Sequence, residues 1–297
     1  MKSAAFLVLF ALSLGCSGAV AGRADAPAAQ TPAPANVEPS PVPTPAGERA
    51  DDLSDVFKET VGCFVFYDSK RGRYVRHDAA RARERFNPKS TFKIPNSLIG
   101  LDSGVIRDAD FRIKWDKEKY PSDGADYEPF KSWWRDHTLR TAFRNSVVWY
   151  YRELATRVGP ERMKSYVESF AYGDANTSGP VDQFWLNNTL KISADEQLEF
   201  LRRLEAGRLP VSRRALDTVR EVMVLEETPR YALRAKTGGG EVAPGRVIGW
   251  YVGYVTTADN TYFFAANIEG PTYLSIRDRR IEITKQALRR LGALPAE

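Results

Sequence analysis

The stretch "VIGWYVGYVTTADNTYFFAANI", residues 247–268, reads as two strands joined by a turn. Residues 247–256 and 261–268 are alternating or continuously apolar, and the segment between them carries Asp259 and Asn260, which favour turns. Another strand pattern, 230–236, precedes them. Two more lie near the start of the chain, 62–68 and a shorter partner near 74–76, joined by the turn "SKRGR". Between the early and late strands, helical patterns cover 139–158, 160–170, 194–206 and 212–225, and an amphipathic helix closes the chain at about 275–291. Pro160 suits a first helical turn, and Ser193 with Glu196 forms a capping box. Strands, then helices, then strands, then a helix predicts an α+β fold. In it, early and late strands meet in one antiparallel β-sheet flanked by helices, with a mostly helical subdomain.

The remaining sequence narrows what this fold is for. The chain has 297 residues, 43% hydrophobic and 27% charged, enough for one large domain or two small ones. Its 43 Lys and Arg against 38 Asp and Glu give a net charge of +5 without a polybasic block. No nucleic-acid-binding motif accompanies that charge, and an anionic small substrate fits it equally well.

Residues 1–21 have the form of a secretory signal: Lys2, an apolar run at 4–14, then small residues. Cleavage after Ala21, in "AVA", satisfies the small-x-small rule. A lipid on Cys16 is the competing outcome, although "SLGC" places Ser13 where such signals usually carry leucine. The expected location is therefore exported and periplasmic, with a membrane attachment only through Cys16. Residues 22–50 are rich in Pro and Ala, contain no aromatic residue, and read as a linker, so the folded domain is expected over 51–297. Cys63, the other cysteine, lies in a strand pattern and is expected to be buried and inert.

Only His77 and His137 are present, and no Cys or His cluster has metal-ligand spacing. A zinc site and a Ser-His-Asp triad are thus poorly supplied, and His137 is expected to be structural. The chemistry falls instead on "FNPKSTFKIPNSLIG", residues 86–100, where Ser90 and Lys93 stand at i and i+3 on one helical face. Lysine acts as a base only when neutral, and burial among apolar groups such as Phe92 and Ile94 favours the neutral amine. Ser90 near a helix start would also meet backbone N–H groups that favour negative charge. Pro95 sits awkwardly in this helix, because beyond the first turn it removes a hydrogen bond.

Ser-x-x-Lys alone is a weak pattern, and three later segments strengthen it. "KTG" at Lys236, Thr237 and Gly238 ends a predicted strand and is followed by Gly239 and Gly240, offering a cation, a hydroxyl and close backbone approach to a carboxylate ligand. "NSVV" at 145–148 supplies Ser146 as a proton relay and Val147 and Val148 as apolar surface. "YGD" at 172–174 is followed by Phe184, Trp185 and Leu186 in "QFWLNN".

These motifs, in this order, resemble the penicillin-recognising serine enzymes, and the chain is most similar to the class D, oxacillinase-type β-lactamases. The likeness runs from Asp51 to the C-terminus through "STFKIPNSLIGLDSG", "WWRDHTLRTAFRNSVV", "AYGDANTSGPVDQFWL", "LKISADEQLEFLRRL", "RAKTG", "GWYVGY" and "SIRDRRIEI". It implies that Ser90 attacks a β-lactam carbonyl and that Lys93, carboxylated by CO2 or bicarbonate (N6-carboxylysine), is the general base for acylation and deacylation. It implies no other cofactor and no metal. Phe92, Val148, Trp185 and Leu186 would enclose Lys93, with the Trp185 indole N–H on a carbamate oxygen. Backbone N–H groups of Ser90 and Gly239 would form the oxyanion hole. Ser146 would assist protonation of the leaving nitrogen, while Lys236, Thr237, Gly238 and Arg277 would hold the substrate carboxylate.

One residue departs from the family's usual Tyr-Gly-Asn: Asp174. An added carboxylate near an anionic base should repel it unless it turns into a polar contact. The competing functional readings are a penicillin-binding sensor or transpeptidase that is acylated without turnover, and a non-enzymatic cell-wall module on a Pro-rich stalk. Neither the oligomeric state nor acceptance of carbapenems and bulky cephalosporins follows from any motif.

Overall fold

The computed structural model describes residues 52–122, 124 and 127–296. The expected signal at 1–21, Cys16 and the linker at 22–50 lie outside them. In chain order the elements are β1 (Gly62–Asp68), β2 (Arg73–His77), α1 (Ala79–Arg83), α2 (Lys93–Asp102), β3 (Arg112–Ile113), β4 (His137–Thr138), α3 (Leu139–Arg144), α4 (Val148–Val158), α5 (Pro160–Ser169), α6 (Ala194–Glu205) and α7 (Arg213–Val222). They continue with β5 (Val224–Glu227), β6 (Ala232–Ala243), β7 (Arg246–Thr256), β8 (Thr261–Gly270), α8 (Tyr273–Arg277) and α9 (Arg279–Arg290).

Six strands form one antiparallel sheet in the order β2-β1-β8-β7-β6-β5, so the early strands do meet the late ones, Phe64 opposite Ala266 and Phe66 opposite Phe264. The period-2 alternation explains why the central strands are apolar throughout. In β7, Val247, Tyr251 and Val255 face one layer, while Ile248, Trp250, Val252 and Tyr254 face the other. The first layer is built by residues 53–57 and by Ile276, Ile283, Ala287 and Leu288 of α8 and α9. The second is the helical subdomain, where α2, α4, α6 and α7 contribute Leu98, Leu154, Leu201 and Val219. Side chains of this size, removed from water, contribute about 1.5–3 kcal/mol each.

Four boundaries differ from the sequence-based expectation, and two of them matter chemically. The helix expected over 139–158 is two helices, because residues 145–147 break it and Ser146 adopts φ 55°. The strand expected over 230–236 runs on to Ala243, so Lys236, Thr237 and Gly238 lie inside β6 rather than at its end. The helix expected over 212–225 stops at Val222 and the chain enters edge strand β5. Finally, the last helix divides at Asp278.

The capping box at Ser193 and Glu196 is present, and Pro160 opens α5. Cys63 is fully buried, accepts a 3.2 Å hydrogen bond from Asn267 Nδ2, and has its thiol pKa pushed up to about 12 by burial. His137 is buried between Thr141 Oγ1 and the Ser132 carbonyl oxygen, each 3.0 Å away, as a structural residue would be.

Candidate active site

Ser90 lies in a 3-10 turn, Lys89–Phe92, that runs directly into α2. At the junction the Lys93 N–H reaches the carbonyl oxygens of both Ser90 and Thr91. This junction accommodates Pro95, which becomes the third residue of α2, in a first turn whose N–H groups lack α-helical partners. In a 3-10 turn side chains at i and i+3 eclipse, and Lys93 Nζ lies 2.8 Å from Ser90 Oγ.

Lys93 is completely buried, and burial lowers its pKa from 10.5 to about 7. Among the described residues no carboxylate pairs with it. The Tyr151 ring centroid lies 5.2 Å from Nζ, and Tyr151 is held by its hydroxyl's 2.9 Å contact with Ser97 Oγ. Of the residues expected to enclose Lys93, Phe92 stacks on Trp185 at 5.2 Å, packs edge-on against Phe184 at 5.1 Å, and is fully buried. Val148 and Leu186 are half-buried and line the cleft beside Ser90. Among the described residues no acceptor bonds the Trp185 indole N–H.

A second buried lysine faces the same site. Lys236 Nζ donates to Ser146 Oγ at 3.0 Å and to the Thr237 carbonyl oxygen at 2.9 Å. Burial first, then the neighbouring positive charges of Lys93 and Arg280, hold its pKa well below the usual lysine value. Because Lys236 donates to the Ser146 oxygen, the Ser146 O–H remains available as a donor into the cleft. The left-handed backbone at Ser146 turns the residue between α3 and α4, a conformation that costs a non-glycine residue on the order of 1 kcal/mol.

Glycine is required where β6 approaches the nucleophile turn. A Cβ on Gly238 would stand 2.8 Å from the Pro88 carbonyl oxygen and 3.2 Å from the Thr91 nitrogen. Next to it, a Cβ on Gly239 would meet Arg280 Nη1 at 2.5 Å, so absence of a side chain there admits the guanidinium.

Arg280 is the buried cation of the cleft that sequence reasoning missed. It is 4% exposed, donates through Nη1 to the Gly238 carbonyl oxygen at 2.6 Å, and leaves Nε without a partner among the described residues. Its guanidinium lies 5.5 Å from the Tyr273 ring centroid. Arg277 lines the same cleft but is more exposed and already paired with Asp278 at 2.7 Å. The signal for Arg280 was its position on the apolar face of α9, at the spacing shared by Ile283, Thr284, Ala287 and Leu288, all buried. A cation on that face is not a solvated surface charge.

Asp174 does not act as a second carboxylate in the enclosure. It is exposed, and its Oδ1 accepts from the Asn176 and Lys191 N–H groups at 3.1 and 3.0 Å, closing its own loop. Ser90, Ser146, Thr237, Gly239 and Arg280 line one cleft of about 590 Å3, with Lys93 and Lys236 beneath it. Among the described residues no group of His, Cys, Asp or Glu is arranged to hold a metal ion.

A nucleophilic serine joined to a buried lysine, with a second lysine and a Gly-rich strand opposite, defines a serine acyl-transfer site. Residues 62–291 match the family model described as the penicillin-binding protein transpeptidase domain. The chain is 40% identical over 235 residues to β-lactamase OXA-48 of Klebsiella pneumoniae, covering 79% of this chain and 84% of that one. The crystal structure of the class D β-lactamase YbXI from Nostoc superposes with a TM-score of 0.75 at 39% identity, over 82% of this chain and 99% of that one. The regulatory protein BlaR1 of Bacillus licheniformis is 34% identical over 222 residues, 74% of this chain but 35% of its own length. The chain belongs to the class D β-lactamases, serine hydrolases within the penicillin-binding transpeptidase family.

Proposed function

We propose that the protein hydrolyses β-lactam antibiotics through an acyl-enzyme on Ser90, with carboxylated Lys93 as general base in both half-reactions. The observation that carries this is the Lys93 amine: fully buried, without a carboxylate partner among the described residues, 2.8 Å from Ser90 Oγ, with its pKa lowered to about 7. A neutral amine captures CO2 by forming an N–C bond and losing one N–H proton, which turns Lys93 into an anionic base. The Trp185 indole N–H supports this, since a carbamate oxygen would give it an acceptor. Negative charge on Lys93 would also reverse its effect on Lys236, favouring the ammonium there.

Carboxylated Lys93 then takes the Ser90 proton as Oγ bonds to the lactam carbonyl carbon. The backbone N–H groups of Ser90 and Gly239 hold the oxyanion, a contribution of about 3 kcal/mol per donor in comparable sites. As the C–N bond breaks, Ser146 donates its proton to the leaving nitrogen and is resupplied from Lys236, which in turn recovers the proton that Lys93 took from Ser90, so the carbamate is again unprotonated before deacylation. In deacylation Lys93 takes a proton from water as it attacks the ester carbonyl, and the proton returns to Ser90 as the ester bond breaks. Arg280, with Thr237 and Lys236, is the better-placed clamp for the substrate carboxylate, because its charge is buried in the cleft without an ion-paired carboxylate among the described residues.

Turnover of a chromogenic cephalosporin with and without bicarbonate tests this reading. Many turnovers with bicarbonate stimulation are expected, and Lys93→Ala abolishes them. The relation to BlaR1 favours one other reading, a sensor domain that is acylated once; a stoichiometric burst leaving a stable acyl-enzyme would establish it. Export to the periplasm and the resulting β-lactam resistance belong to the same proposal, supported by the apolar run at 4–14. N-terminal sequencing of the mature protein distinguishes cleavage after Ala21 from a lipid on Cys16. Among the described residues no helix is long and apolar enough to cross a membrane.

A further inference from the structure

Lys89 lies next to the nucleophile but outside the Ser-x-x-Lys pattern. It is 5% exposed and adopts φ 51°, an uncommon conformation for a residue with a side chain. Its Nζ donates to the Leu186 carbonyl oxygen at 2.8 Å and to Asn188 Oδ1 at 3.3 Å. Among the described residues no carboxylate forms an ion pair with it, so a nearly buried cation is spent on neutral acceptors. Its stem packs against Gly240, where a Cβ would meet Cδ at 3.3 Å and Cε at 3.4 Å. Asn188 continues the connection by donating to the Val242 carbonyl oxygen at 3.3 Å.

Three pieces of the active site therefore converge on one side chain: the Ser90 turn, the segment carrying Trp185 and Leu186, and β6 beyond Gly239. The same two stretches are joined further along by the paired backbones of Phe86 and Ile192 and by Asn87 Nδ2 on the Leu190 carbonyl oxygen at 3.0 Å. Those contacts anchor the far end of the segment. The end carrying Trp185 and Leu186 is tied to the nucleophile turn by the Lys89 ammonium. Burial lowers the Lys89 pKa to about 8, with Glu241 opposing, so the ammonium form prevails at neutral pH.

We propose that Lys89 is a positioning residue for deacylation, whose ammonium holds the Leu186 carbonyl and keeps Trp185 and Leu186 closed over Lys93, retaining the carbamate between turnovers. This rests on the carboxylated-lysine reading above. Without the clamp the segment opens more often, water reaches the enclosure, and CO2 is lost.

The test is Lys89→Met, which keeps stem length and packing but removes the charge and the donors. Hydrolysis of a chromogenic cephalosporin is followed across a bicarbonate series for the full chain and the variant. The half-activating bicarbonate concentration should rise about tenfold, the loss matching one hydrogen bond from a charged donor. Saturating bicarbonate should bring kcat back to within about twofold of wild type. An unchanged half-activating concentration, or a fall in kcat that saturating bicarbonate does not restore, overturns the proposal. Should Lys89→Met fail to fold, Lys89→Gln, which is neutral and too short to span the same gap, carries the same expectation and the same refutation. A wild-type protein indifferent to bicarbonate would instead remove the carbamate reading itself.

Discussion

Lys93→Met should make this protein more stable while abolishing its turnover. Methionine matches the lysine stem in length and is apolar, so the buried volume at position 93 is nearly conserved. What changes is charge. Lys93 titrates at about 7 in the folded protein against an ordinary 10.5, and each pH unit of that gap corresponds to about 1.4 kcal/mol. At pH 7 without CO2 the wild-type fold therefore carries a penalty of up to about 5 kcal/mol for burying the amine. The variant loses the Ser90 hydrogen bond, about 1 kcal/mol, and part of the remainder is relieved by local relaxation. A net gain of about 3 kcal/mol is expected. Between pH 7 and 10.5 the unfolded wild type binds the extra proton, so wild-type stability rises with pH and the gap between the two proteins closes. Below pH 7 both states hold the proton and the gap is constant. The assay is urea unfolding of both proteins at pH 6, 7, 9 and 10 in CO2-free buffer, repeated at pH 7 with bicarbonate. Bicarbonate should stabilise only the wild type, because CO2 binds the folded amine. A variant less stable than wild type at pH 7, or a gap independent of pH, would refute the reasoning.

Arg280→Ala should raise KM for a penicillin by about 30-fold or more, since a buried charge-assisted contact is worth about 2–3 kcal/mol. Arg277→Ala, which removes a cation already paired with Asp278, should change KM less than about threefold. Comparing the two variants decides which arginine holds the carboxylate. Ser146→Ala should lower the acylation rate by about 100-fold, measured in a single turnover, because it removes the donor to the leaving nitrogen. Ser146→Gly should lose the same activity while unfolding at a higher temperature than Ser146→Ala, since glycine accepts φ 55° without strain.

The layered sheet was legible because strands buried on both faces are apolar at nearly every position, as in 247–256, and such runs are hard to mistake. The split of 139–158 was not legible. Residues 145–147 contain neither Gly nor Pro, yet α3 ends there in a left-handed turn at Ser146, with the Val147 N–H on the Ala142 carbonyl oxygen and the Ser146 N–H on that of Phe143, and Lys236 bonds the Ser146 side chain from another part of the chain. In the site, Ser90, Lys93 and Lys236 were readable because motif spacing reports a turn and a strand. Arg277 was preferred over Arg280 because linear proximity does not distinguish a cation at the cleft mouth from one on the buried face of α9. The concern over Asp174 dissolved for a related reason: a short carboxylate in a loop finds its own backbone N–H groups first. Lys89 drew no notice at all, because its partners, Leu186 and Asn188, are distant in sequence.

The pairing of β1 with β8 also constrains how the chain is made. Cys63 and Asn267 are partners across 204 residues, so the middle of the sheet cannot close until most of the polypeptide is available. Contacts of such long range fold slowly, since loop closure is paid before pairing rewards it. For a chain proposed to leave the cell interior, that delay suits export: β1 has only its neighbour β2 to pair with early, and the sheet closes only once β8 follows. The catalytic cleft would then first exist on the far side, where the antibiotics arrive.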